Sequence, residues 1–108
     1  ILPVQLEDTR SALHLFIIRI PPDNRSLGTR NELFERLRTN GIIVNLHYIP
    51  IYRQPYYERF GFSPMDFPAS EHYYSEAISL PIFPGLTSEQ LQYIKEVIVK
   101  KQGHQTLF

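Results

Sequence analysis

From Ala12 the chain reads ALHLFIIRI, an apolar run too short and too rich in Ile and Phe for a surface helix, and Pro21-Pro22 stops it as prolines stop a strand. A largely buried strand is predicted. After the turn-rich PPDNRSLG, Thr29 and Glu32 stand at capping-box spacing ahead of Leu33, Phe34 and Leu37, and Asn40-Gly41 supplies the stop. That spacing predicts an amphipathic helix of about three turns. Strict alternation follows in IIVNLHY, which puts Ile42, Val44, Leu46 and Tyr48 on one face and Ile43, Asn45 and His47 on the other. A second strand is therefore expected from Ile42 to Tyr48.

Periodicity is lost where Pro50 and Pro55 bracket IYRQ and Pro64 and Pro68 bracket MDF, so residues 50–67 read as a long loop with one helical turn at Tyr56 to Phe60. Long structured loops are often functional. Pro68 suits the first turn of a helix, on which Tyr73, Tyr74, Ala77 and Ile78 mark one face before the short strand SLPIF. Thr87 and Gln90 repeat the capping box, Leu91, Ile94, Val97 and Ile98 form the stripe of a closing helix, and Lys100, Lys101 and Gly103 end it ahead of a frayed HQTLF tail. The order is β, α, β, loop, α, β, α. It predicts an α/β (α+β) two-layer domain: a small, mainly antiparallel or mixed three-stranded sheet with covering helices.

At 108 residues there is room for one hydrophobic core, so residues 1–108 read as a single domain. Charge narrows the choice of partner: 11 Lys plus Arg balance 11 Asp plus Glu, which leaves no electrostatic footprint for nucleic acid or an anionic membrane. The absence of cysteine removes disulfides, thiolate metal sites and a thiol nucleophile. No apolar run approaches the roughly 20 residues of a membrane span, and no signal-peptide pattern opens the chain, so a cytoplasmic protein is expected. The missing initiator Met suggests processing or truncation.

The stretch 47-HYIPIYRQ-54 concentrates the polar chemistry. Imidazole and phenol can bond hydroxyl or phosphate oxygens, and rigid prolines fix their direction. From the residues alone His47 reads first as a satisfied strand histidine and Tyr48 as an interior ring. Arg53 has a planar guanidinium suited to a diphosphate, or it is a solvated loop residue. Gln54, Tyr56 and Tyr57 either shape the same cleft or pack the loop onto its own domain. His14 reads as structural, and His72 and His104 stand at no metal-ligand spacing. No GxSxG elbow suggests a hydrolase. The alternative is a non-catalytic protein-interaction or RNA-binding α/β module, although LHLFIIRI lacks the Gly-aromatic strand motif of an RNA-recognition fold.

The strings SALHLFIIRI, NGIIVNLHYIPIYRQPYY and FPASEHYYSEAISLPIFPGLT, with the closing helix, resemble in order and spacing the C-terminal small domain of PLP-dependent sugar aminotransferases of the DegT/DnrJ/EryC1/StrS family. Leu13 departs from the aromatic residue common at its position. Within the family, HYIP with QPYY is most similar to enzymes that aminate a UDP-linked 4-keto-6-deoxy N-acetylamino sugar on the way to pseudaminic acid. The resemblance implies the small-domain fold of fold-type I PLP-dependent transferases. It also implies a large domain, outside this chain, that carries PLP and its Schiff-base lysine, and a homodimer partner. Lys95, Lys100 and Lys101 all fall on the closing helix and read as solvated, so this chain is expected to bind no cofactor and to be inactive alone. By the same resemblance His47, Tyr48, Ile49, Pro50 and Arg53 hold the UDP-linked keto sugar. No residue of this chain is expected to be catalytic.

Overall fold

The computed structural model describes residues 1–100. In chain order it contains β1 (Phe16–Arg19), α1 (Arg30–Thr39), α2 (Pro55–Glu58), α3 (Pro68–Glu76), β2 (Ala77–Leu80) and α4 (Ser88–Val99). Short 3-10 turns at Ile51–Arg53 and Pro64–Asp66 punctuate the long loop. The architecture is mixed α/β, with helices over a small sheet.

Both long helices start where local chemistry dictates. Thr29 accepts from the Glu32 N–H while Glu32 reaches back to the Thr29 N–H, and Thr87 and Gln90 repeat the exchange. Each cap satisfies backbone donors that a helix start leaves open. Asn40 caps α1, and Gly41 follows at φ +76°, a conformation that costs glycine little. Lys100 is the C-cap of α4, while Lys101, Gly103, His104 and the tail lie outside the described residues.

The sheet departs from expectation. β1 and β2 pair antiparallel, with Phe16 opposite Leu80 and Arg19 opposite Ala77, and the third strand reduces to one bridge between Asn45 and Ser79. Among the described residues the sheet thus has two strands, not three. Those two residues exchange both backbone hydrogen bonds, at 2.8 and 3.2 Å. Continuing the register would set Ile43 opposite Pro81, which has no N–H to donate, so the ladder cannot grow in that direction.

β1 is also shorter than ALHLFIIRI suggested, because Leu13 has φ +51° and the chain from Ala12 to Leu15 is exposed. α3 ends at Glu76, so Ala77 and Ile78 are buried as strand residues rather than along a helix face. Within the core, Ile18 and Ile20 meet Leu33 and Leu37 of α1, Ile42, Val44, Ile78, and Ile94 and Val97 of α4. Leu91 stays exposed on α4. Arg36 ties the two long helices: its guanidinium donates to the Leu27, Val97 and Ile98 carbonyls, placing a cation at the C-terminal end of α4. With one face of each long helix committed to the core, the 47–67 loop and α3 lie outside it.

Candidate functional site

Alternation buries Ile42 and Val44, then breaks down: Leu46 and His47 are half-buried and Tyr48 is 69% exposed. Tyr48 is therefore not an interior ring. The His47 and Tyr48 rings lie 4.1 Å apart and the peptide bond between them is cis. Together with Pro50, Ile51 and Tyr52 they form one wall of an open groove of about 530 Å³. The other wall is Phe67 with Ala69, Ser70, Tyr73 and Tyr74 of α3. Of the residues expected to hold substrate, the groove gathers His47, Tyr48 and Pro50. Ile49 is 48% exposed and does not line it.

Arg53 does not line the groove and pairs with a carboxylate. Its Nε and Nη2 donate to Oε1 and Oε2 of Glu71, at 2.9 and 2.6 Å, and Tyr52 Oη donates to Oε1 at 2.7 Å. The two hydrogen-bond donors hold the Glu71 carboxyl down at about 2, Arg53 being the stronger influence. Burial, then the bond to Glu71 and its negative charge, push the Tyr52 phenol up to about 12. The Arg53 pKa is raised, chiefly by the same carboxylate. Tyr52 stacks on Phe67 with ring centroids 4.4 Å apart, and Arg53 lies 5.9 Å from the Tyr74 ring. Glu71 had no assigned role from sequence. The only signal was a lone carboxylate on a helix following an arginine-bearing loop.

A second missed residue is Glu76, which is 1% exposed. Arg19 donates to it from Nε and Nη2 at 2.9 and 2.8 Å, and His72 Nε2 lies 2.8 Å from its other oxygen. The i, i+4 spacing of His72 and Glu76 was the available sign. Tyr56, Tyr57 and Phe60 cluster edge to face on the surface, with Arg59 4.2 Å from the Tyr56 ring. They do not enter the groove. His14 is exposed near the start of β1.

Two other depressions, one between α1 and α4 and one beside Phe83 and Tyr93, gather none of the predicted substrate residues. Lys95 on α4 and Lys100 at its C-cap are exposed and lie outside the groove. Among those residues, no cluster of three or more His, Asp and Glu could hold a metal, and no helix is long and apolar enough to cross a membrane.

The profile of the DegT/DnrJ/EryC1/StrS aminotransferase family matches residues 1–99. The chain belongs to this family. It is 32% identical over 101 residues to the spore coat polysaccharide biosynthesis protein SpsC of Bacillus subtilis (strain 168), a match spanning 91% of this chain and 25% of SpsC. DesV of S. venezuelae, solved in complex with a ketimine intermediate, superposes with a TM-score of 0.73 at 33% identity, covering 89% of this chain and 24% of DesV. A Streptococcus pneumoniae protein described as a sugar aminotransferase and solved in its PLP form gives a TM-score of 0.67 at 30% identity, over 79% of this chain and 21% of its own. The chain thus spans about a quarter of the length of the curated relatives it matches.

Proposed function

We propose that this chain forms one wall of the substrate cleft in a PLP-dependent nucleotide-sugar aminotransferase, as the C-terminal small domain of a larger, homodimeric, cytoplasmic protein. The reaction assigned is transfer of an amino group from glutamate to the 4-keto carbon of a UDP-linked 4-keto-6-deoxy N-acetylamino sugar, of the kind leading to pseudaminic acid. The observation that carries the reading is the groove in which His47, Tyr48 and Pro50 face Tyr73 and Tyr74, within a chain of this family. The likeness to DesV, caught with a ketimine intermediate, supports amino transfer, and the HYIP and QPYY strings support the choice of sugar.

When bound elsewhere in the parent protein, PLP supplies the electron sink for amino transfer. The work of this chain is binding. His47 and Tyr48 offer hydrogen bonds to sugar hydroxyls or phosphate oxygens, and Ile49 and Pro50 fix their direction. Arg53 retains Nη1 as a donor after Glu71 takes Nε and Nη2. Such remote contacts position the keto carbon without taking part in bond making. The chain alone is inactive and binds no PLP under this reading.

His47→Ala in the full-length protein tests it. KM for the keto sugar rises while the cofactor spectrum stays unchanged, by an amount equivalent to about 0.5–1.5 kcal/mol for a lost hydroxyl contact or about 1.5–3 kcal/mol for a phosphate contact. Unchanged kinetics in a folded His47→Ala and a folded Arg53→Ala return the stretch to a structural role.

Exposed Ile51, Phe60 and Met65 favour a second reading, in which the 47–67 loop serves only as a contact surface for the rest of the protein. It predicts that the isolated chain self-associates while loop substitutions leave KM alone. Light scattering across a wide concentration range, paired with the kinetics above, separates the two.

A further inference from the structure

The 3-10 turn Ile51–Arg53 follows directly on His47–Pro50, and its backbone hydrogen bonds are all local: Arg53 N–H to the Pro50 carbonyl and Gln54 N–H to the Ile51 carbonyl. No side chain caps it, and Ile51 is 67% exposed. Nothing in that local geometry fixes the turn against α3. The fixing contacts come from Tyr52 and Arg53, whose polar ends converge on one carboxylate, Glu71, 19 and 18 residues further along the chain. Glu71 lies in the first turn of α3, where its own N–H donates to the carbonyl of Phe67, the residue whose ring stacks on Tyr52. The circuit from Tyr52 to Glu71 to Phe67 joins the two walls of the groove.

We propose that Glu71 is a positioning residue for the substrate groove: by clamping Tyr52 and Arg53 it sets the wall that begins at His47. The inference rests on the groove being the nucleotide-sugar site. Glu71 itself touches no substrate. The low pKa of its carboxyl accords with a clamp that stays charged at neutral pH.

The test uses the full-length protein with uridine diphosphate as the probe, in Glu71→Gln, Tyr52→Phe, their combination, and His47→Ala. Glu71→Gln keeps one oxygen acceptor but removes the charge and sets an amide N–H donor where the second carboxylate oxygen accepted, so the paired two-oxygen contact with Arg53 is lost. Uridine diphosphate is expected to bind Glu71→Gln about tenfold more weakly. The double variant is expected to be no weaker than Glu71→Gln alone, because Tyr52 and Glu71 then act through one path. Saturating kcat is expected to be unchanged. A role confined to stability would lower the melting temperature and leave the probe affinity alone. Binding within about twofold of the parent, or losses that add fully in the double variant, overturn the inference. If His47→Ala weakens the probe while Glu71→Gln does not, the positioning role fails and the groove assignment stands. If the unaltered protein does not bind the probe, both fall. Should Glu71→Gln not fold, Glu71→Asp keeps the charge and shortens the reach. Its loss must exceed about twofold, and a smaller one overturns the clamp.

Discussion

The N–H of Ile42 donates to the carbonyl of Leu37 at 3.0 Å, while the N–H of Gly41 donates to that of Arg38 at the same distance. This paired closure is the Schellman motif, and the two apolar residues it joins are both buried, Leu37 at 0% and Ile42 at 6% exposure. The end of α1 is thereby tied to the start of the segment that reaches Asn45 and then His47. A helix stop sets where the groove begins.

Gly41 makes that stop possible, and a Cβ there would meet no atom within 4 Å, so backbone conformation alone decides a substitution. At φ +76° the Gly41→Ala variant is expected to lose about 1–2 kcal/mol of stability. Gly41→Asn should lose less, since asparagine tolerates the left-handed region. Urea unfolding checks this, and equal stability of Ala and Asn variants would contradict the conformational argument.

Glu76 holds Arg19 and His72 from a buried position, but the Arg19 side chain is 33% exposed, so solvent weakens the pair. Replacing Glu76 with Gln removes the charge and sets an amide donor against existing donors. A loss of about 1–3 kcal/mol is expected in chemical denaturation. A change under about 0.5 kcal/mol would mean that the carboxylate is as well served by water.

Features fixed by neighbours in sequence were legible in it. Both capping boxes, the Asn40-Gly41 stop and the helical turn after Pro55 follow from contacts three to five residues apart. The sheet was less legible, because the alternation of Ile42 to Tyr48 says which face is apolar and not which strand accepts the ladder. Pro81, nearly forty residues on, stops the ladder beyond Ile43, and towards His47 the Ala77 N–H is already given to the Tyr73 carbonyl. The same reason hid the buried Glu76 and the Glu71 clamp, whose partners Arg19 and Arg53 lie far along the chain. His47, Tyr48, Ile49, Pro50 and Arg53 were singled out through the family resemblance; His47, Tyr48 and Pro50 line one groove, while Ile49 lies outside its lining and Arg53 pairs with Glu71.

The clamp gives the chain an acid-sensitive contribution to stability. The Glu71 pKa is depressed from its ordinary 4.5 to about 2, first by Arg53 and then by Tyr52, so the folded state binds its proton less tightly than the unfolded chain. Its stabilisation is therefore fully present above about 4.5 and is lost as pH falls through about 2. Comparing the parent chain with Glu71→Gln across that range should show a stability difference that is constant above about 4.5 and shrinks towards about 2. A difference that persists undiminished at the acid end would remove the ionised carboxylate as its cause.

At the alkaline end the sign reverses. The Tyr52 phenol is pushed from its ordinary 10.0 to about 12, by burial first and then by the bond to Glu71 and its charge, so the folded state keeps this proton longer than the unfolded chain does. The resulting stabilisation is intact below about 10 and is lost as pH rises through about 12. Tyrosinate absorbance should show one of the seven tyrosines ionising at about 12, and Tyr52→Phe should delete that step. Glu71→Gln should move the step only part of the way back towards 10, because burial, the largest cause, survives the substitution. A full return to 10 would show that Glu71, rather than the packing against Phe67, holds the proton on Tyr52. An unmoved step would show the reverse.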